Sequence, residues 1–191
     1  MADAEADLVG RAVSGDRDAV EQLVAWVHPM VVRYCRGRLG PRLGTFATAD
    51  DVAQDVCLAI VQALPRFRVE GRPFAAFVYA VAAHKVADAA RAARRVPLVT
   101  PLTELTDTPD AAPGPEPQAL ASDLASRMQR LLDQLPPLQR EIVVLRVVVG
   151  MRAEEVAVLL DMTAGAVRIA QYRALAKLRA LAPELLDEVA R

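Results

Sequence analysis

Between Val96 and Ala119 the chain carries six prolines, at positions 97, 101, 109, 113, 115 and 117, and no long helical pattern. Proline has no amide proton to donate and disfavours helix in the residue before it. The stretch therefore reads as a linker of polyproline character, with separately folding segments on either side. On both sides the apolar residues recur at helical spacing and are mainly alanine, valine and leucine, aromatics making up only 4% of the chain. The pattern predicts an all-α protein of two small helical domains, 1–95 and 120–191, joined by a flexible, Pro-rich, acidic linker over 96–119. A length of 191 residues is enough for two small cores.

Net charge is −1, so the chain is not a globally basic nucleic-acid binder, and its charge has to be read by segment. From Arg66 to Arg95 seven bases (Arg66, Arg68, Arg72, Lys85, Arg91, Arg94, Arg95) face two acids. From Val96 to Ala125 there are no bases, and Glu104, Asp107, Asp110, Glu116 and Asp123 supply five negative charges. Two basic zones thus flank an acidic connector. Cys35 and Cys57 lack CxxC or zinc-ligand spacing, which suits a reducing cytoplasm. The opening MADAEAD has no apolar signal core, and the uncharged run from Pro73 to Ala83 falls short of the ~20 residues a spanning helix needs. A soluble, cytoplasmic protein without membrane insertion is expected.

In the N-terminal half, a short helix over 3–13 stops at Ser14-Gly15, and Asp16 can cap a longer one reaching Leu39. Val20, Leu23, Val24, Val27, Val31, Tyr34 and Cys35 form its apolar stripe, and Pro29, after His28, should kink it. His28 has no second ligand at metal spacing and reads as a surface residue. After a loop over 40–47, Thr48 to Asp51 has the pattern of a capping box opening a helix to Leu64. Val52, Val56, Ile60 and Leu64 point inward, while Asp51, Gln54, Asp55, Leu58 and Gln62 lie on or near other faces. Asp50, Asp51 and Asp55 invite a metal reading, but attraction to the positive end of the helix dipole accounts for them with less, and no metal is expected. Pro65 ends that helix. A basic loop leads into a helix from Phe74 to Arg95 that buries Phe74, Val78, Val81 and Val86. His84, Asp88, Arg91 and Arg95 make one polar stripe beside Lys85, either a solvated face or, given the surplus of arginine, a phosphate-facing one. Phe67, Phe77 and Tyr79 suit either stacking on unpaired bases or helix packing, packing being favoured for at least two of them.

The C-terminal half opens near Leu120 with a helix whose stripe is Leu124, Met128, Leu131, Leu132 and Leu135. Pro136-Pro137 starts another, from Leu138 to Val149, apolar on nearly every side and ended by Gly150. From Arg152 to Arg179 two periodic segments, carrying Ala153, Val156, Ala157 and Leu160 and then Val167, Ala174 and Leu178, are divided by Asp161-Met162-Thr163. This is helix-turn-helix spacing: Ala157 is small where the helices touch, Asp161 tolerates left-handed backbone, and Val167 points inward. The second helix carries Arg168, Arg173, Lys177 and Arg179 with no acid between Thr163 and Arg179, as a major-groove reader would. An αα-hairpin with a solvated basic face is the alternative on turn spacing alone. A short tail helix from Pro183 is expected to cover the far end.

Three segments in order, DDVAQDVCLAIVQALPRFR, GRPFAAFVYAVAAHKVADAARAARR and LPPLQREIVVLRVVVGMRAEEVAVLLDMTAGAVRIAQYRALAKLR, resemble regions two and four of an extracytoplasmic-function (ECF) sigma factor of bacterial RNA polymerase, nearest to the SigD-type group of actinobacteria. The resemblance covers about residues 5 to 95 and 120 to 180. It implies that Asp51, Gln54, Asp55 and Leu58 contact the clamp helices of the polymerase's largest subunit. It assigns Arg66, Arg68, Arg72, Phe77, His84, Lys85, Asp88, Arg91 and Arg95 to melting the promoter's −10 element and holding a flipped base. Thr163, Arg168, Gln171, Tyr172, Arg173 and Lys177 fall to the major groove of the −35 element. The implied partners are core RNA polymerase, promoter DNA both duplex and single-stranded, and an anti-sigma factor. Neither a cofactor nor a catalytic residue is implied. His84 stands where the family often has asparagine, Phe77 where tryptophan is usual, Ala170 for arginine or lysine, Gln171 for leucine, and Arg152 for a capping serine or threonine. A self-contained helix-turn-helix regulator would leave the basic N-terminal zone without a task. An enzyme is disfavoured by the lack of HExxH, GxSxG or a nucleotide-binding glycine loop.

Overall fold

The structure, a computed structural model, describes residues 2–40, 48–68, 73–95 and 115–182, and every regular element among them is helical. The elements are α1 (Ala2–Val13), α2 (Arg17–Leu39), α3 (Ala49–Ala63) with a 3-10 turn (Leu64–Arg66), α4 (Phe74–Arg95), α5 (Pro115–Leu132), α6 (Pro137–Val143) continuing into a π-helical turn (Val144–Val149), α7 (Ala153–Leu160) and α8 (Ala164–Leu181). Of the expected linker over 96–119, residues 96–114 lie outside the described residues, as does the expected tail helix from Pro183, while 115–119 are helical.

Local chemistry sets most helix ends. Asp16 accepts from the amide of Ala19 at 3.1 Å and caps α2. Thr48 and Asp51 form the reciprocal capping box of α3: Asp51 N donates to Thr48 Oγ1 at 3.2 Å and Thr48 N to Asp51 Oδ2 at 2.8 Å. Gly150 adopts left-handed backbone, φ +90°, where the π turn ends. Two elements differ from expectation. α5 begins at Pro115, five residues before Leu120, because a proline in a helix's first turn gives up an amide that has no helical partner there anyway. The helix expected to run regularly to Val149 widens to π from Val144. α2 runs through Pro29 as one helix.

The inward faces follow the apolar stripes. Leu23, Val27, Val31, Tyr34 and Cys35 of α2 are buried, as are Val52, Val56, Ile60 and Leu64, and α4 buries Phe74, Val78, Tyr79, Ala82 and Val86. Val81 is only half-buried. In α5 the stripe is buried only at its end: Leu132 and, just beyond it, Leu135 are covered, while Leu124 and Met128 are each 40% exposed. The buried residues of α1–α4 and those of the π turn and α7 form one continuous cluster, so the two helical halves share a core. Leu132, Leu135, Val143 and Ala174 make a smaller second cluster beneath α8.

Candidate nucleic-acid and polymerase interfaces

On α3, helix-end chemistry sorts the carboxylates. Asp50 takes both arms of Arg36, at 2.8 and 2.6 Å, and this pairing holds its carboxyl below the usual range. Asp51 is held low by the amide and hydroxyl of Thr48. Both acids thus have partners within the chain. Gln54, Asp55, Val61 and Gln62 are exposed beside Leu58, which is 60% exposed. Two exposed apolar side chains, Leu58 and Val61, among polar neighbours on a rigid helix have the character of a contact patch.

Around the start of α4 the aromatics pack on one another. Phe67 lies 5.2 Å from Phe74 and 5.0 Å from Phe77, centroid to centroid, and Trp26 is 6.5 Å from Phe74. Phe67 and Phe77 are half-buried. Tyr79 is buried edge-on to Tyr34 at 5.6 Å and is a core residue with no face for a base. Further along, His84 Nδ1 lies 3.2 Å from Asp88, which also pairs with Arg91. Asp88 thus holds a histidine and an arginine at one level of the exposed stripe. Arg66, Arg68 and Arg95 are exposed and Lys85 is half-buried, whereas Arg72 lies outside the described residues.

The C-terminal helices form the anticipated turn. Among the described residues Asp161 is the one non-glycine residue with positive φ, +54°, and the amide of Met162 donates to the carbonyl of Ala157 at 2.9 Å. Thr163 caps α8 by accepting from Ala166 N at 3.1 Å. Ala157 and Val167 are buried, as the helix crossing requires. The opposite face of α8 is open: Arg168 and Arg173 are exposed and Tyr172 is 71% exposed. Several expected contacts have partners within the chain. Arg168 pairs with Glu154, Lys177 Nζ donates to the carbonyl of Gln134 at 2.7 Å, and Gln171 accepts from Arg146 Nε at 3.0 Å. Arg146 also donates to the carbonyl of Met151, so one guanidinium ties α8 to the loop before α7. Arg146 was legible only as a charge on an apolar helix. At the start of α7, Arg152 has no acceptor to cap the first turn. Glu155 supplies half a capping box by accepting from Arg152 N at 2.6 Å and from its guanidinium at 2.9 Å.

Comparison with known proteins matches this layout. The family described as sigma-70 region 2 matches residues 23–96, and that of sigma-70 region 4 matches residues 125–178. Those two regions in that order define a sigma-70-type factor. The chain is 52% identical over 180 residues to the ECF RNA polymerase sigma factor ShbA of Streptomyces griseus, covering 93% of this chain and 94% of that one. It is 52% identical over 172 residues to SigD of Mycobacterium tuberculosis, covering 90% and 81%. A solved structure of CnrH in complex with the cytosolic domain of CnrY superposes with a TM-score of 0.67 at 29% identity, over 93% of this chain and 96% of that one. CnrH is a sigma factor of Cupriavidus metallidurans. The chain belongs to the ECF sigma factors of bacterial RNA polymerase. Among the described residues no helix is long and apolar enough to cross a membrane.

Proposed function

We propose that this sigma factor works through three separate surfaces. The exposed face of α3, with Gln54, Asp55 and Leu58 and Asp51 at its start, seats on the largest subunit of core polymerase. The loop from Arg66 and the stripe of α4 from Phe77 through His84, Lys85, Asp88, Arg91 and Arg95 capture the unpaired −10 strand. α8 enters the major groove of the −35 element with Arg168, Tyr172 and Arg173. The observation that carries the reading is the division of α8: Val167 and Ala174 buried on one side, the basic residues and Tyr172 open on the other. Residues 1–95 and 120–191 are the working units, with 96–119 as the tether that raises the effective concentration of the second reader once the first is bound.

The chemistry is binding alone. Phosphate contacts by arginine and lysine supply affinity and make it steeply salt-dependent. Strand opening follows from capture of unstacked bases, several small contacts offsetting the few kcal/mol of unstacking. Arg168 and Lys177 exchange internal partners for phosphate, while Gln171, held by Arg146, seats the helix. The CnrH–CnrY complex supports control by a protein partner, an anti-sigma factor, acting in the cytoplasm.

Holoenzyme carrying His84→Ala or Arg168→Ala separates the two readers. His84→Ala should weaken binding to a single-stranded −10 probe and leave a −35 duplex unaffected, and Arg168→Ala the reverse, each by about 1–3 kcal/mol. Variants that weakened both probes equally would refute the division.

A further inference from the structure

The middle of the outward face of α8 is an aliphatic side chain. Ile169 is 55% exposed, and at 3.6 residues per turn it stands ~200° round the helix from the buried Val167. Arg168 and Arg173 flank it and Tyr172 lies one turn on, all three exposed. No carboxylate lies on α8 from Ala164 to Leu181. The core has no use for an isoleucine facing outward, and a β-branched residue is a poorer helix former than the alanine, arginine and lysine that make up most of this helix. Gln171, the polar residue two positions on, is turned aside, its side-chain oxygen accepting from Arg146 Nε at 3.0 Å.

One turn before Ile169, on the same line of the helix, stands Gly165. Its φ lies outside the left-handed region, and a Cβ there would have Thr163 Oγ1, at 4.0 Å, as its nearest neighbour. Neither the turn nor packing within the chain therefore requires a glycine, the poorest helix former after proline. A side chain missing where there is open space leaves room for something outside the chain to come against the backbone. With arginine on either side and no acid on the helix, the fitting visitor is a polyanion.

We propose that Ile169 is a specificity-determining residue that recognises the 5-methyl group of a thymine in the −35 element, and that Gly165 lets the helix come close enough for it to do so. The inference rests on the reading of α8 as a major-groove helix. Thymine is the one base that shows an apolar group in that groove. Recognition helices set their N-terminal residues against the base edges, and Ile169 lies about 7.5 Å along the axis from the first residue of α8. Isoleucine also rejects the other bases, because it has no donor or acceptor. A purine at that place would lose water from its N7 without gaining a partner, and cytosine would bury an amino group and offer no methyl. The preference thus has an attractive and a repulsive part. Arg168 and Arg173, on either side, meet the phosphates that fix the register.

The test uses the full chain assembled with core polymerase and duplexes carrying the −35 motif of its protein-dependent start sites. Each thymine is replaced in turn by uracil, which pairs as thymine does and lacks only the methyl group. With the parent chain, one such replacement should weaken binding about fourfold, the worth of one buried methyl. With Ile169→Ala the same replacement should have no effect, and the thymine duplex should bind about as weakly as the parent binds the uracil one, with unchanged helical circular dichroism. Gly165→Leu, for which the chain has space, should keep the same dichroism and weaken the thymine duplex by about tenfold or more. A motif without thymine on either strand, a uracil effect as large in Ile169→Ala as in the parent, or undiminished binding by Gly165→Leu would overturn the proposal. Holoenzyme that bound no −35 duplex would bring down the functional reading, and this inference with it. Firm binding that is indifferent to uracil at every position refutes the inference alone.

Discussion

Asp161 decides whether α7 and α8 cross as a DNA-reading pair. Its φ of +54° and ψ of +51° place an L-residue in the left-handed region, which costs an ordinary side chain ~1–2 kcal/mol and a β-branched one more. The side chain is exposed, so substitutions there change backbone preference with little change in packing. Asp161→Gly removes the left-handed penalty but adds ~0.4–1 kcal/mol of unfolded-state entropy, leaving a net effect within about 1 kcal/mol of zero. Asp161→Asn should lie within ~0.5 kcal/mol of the parent, since asparagine tolerates this backbone. Asp161→Val should lose ~2 kcal/mol or more. Urea denaturation followed by circular dichroism reads the series: with a slope of ~2 kcal/mol per molar, the valine variant's midpoint should fall by about 1 M below the parent's. Its −35 duplex binding should fall in parallel. A valine variant as stable as the glycine variant would show that the turn does not adopt left-handed backbone, and the helix-turn-helix geometry would fail with it.

Val167 is fully buried, and Val167→Ala should cost about 2 kcal/mol through two lost methyl groups and the cavity they leave, read by the same denaturation. Leu58→Arg should abolish co-purification with core polymerase while leaving the melting temperature within about 2 °C, because the side chain is 60% exposed. Replacing Arg168 and Arg173 together by alanine should flatten the log–log salt dependence of −35 binding by about 2, close to 0.9 per lost phosphate contact. The carboxyls of Asp16, Asp50 and Asp51 are all held below their ordinary values by Arg11, Arg36 and Thr48 respectively. Depressed folded-state values contribute stability that is present above the unfolded carboxylate range near ~3.9 and lost as pH falls through the folded values. Unfolding should therefore set in below about pH 4, and Asp50→Asn should make the acid limb shallower; an acid limb unchanged by that substitution would remove Asp50 from the account.

Features governed by local rules were legible in the sequence. The caps at Asp16 and Thr48, the left-handed turn at Asp161 and the inward Val167 follow from neighbours a few residues away. The roles that depend on distant partners were not. Tyr79 looked available for stacking because nothing in its own helix tells that Tyr34 lies against it. The bond that Gln171 accepts comes from Arg146, 25 residues earlier, which no local rule points to. The shared core was least visible of all, since the proline-rich segment argues for separation and says nothing about whether the two ends then meet. Gly37 was its one trace, a helix-interior glycine whose reason is a valine more than a hundred residues away.

The central claim is that this chain gives core polymerase a promoter specificity with two separately read elements. Run-off transcription from a fragmented bacterial genomic library, with purified core polymerase and with or without the protein, followed by sequencing of transcript 5′ ends, tests it directly. Defined start sites should appear only when the protein is added, and should share two upstream motifs about 25 base pairs apart, of which Arg168→Ala relaxes the distal one alone. Tight binding of the free protein to duplex DNA without any protein-dependent start site would contradict the account and make the chain a regulator that acts without polymerase.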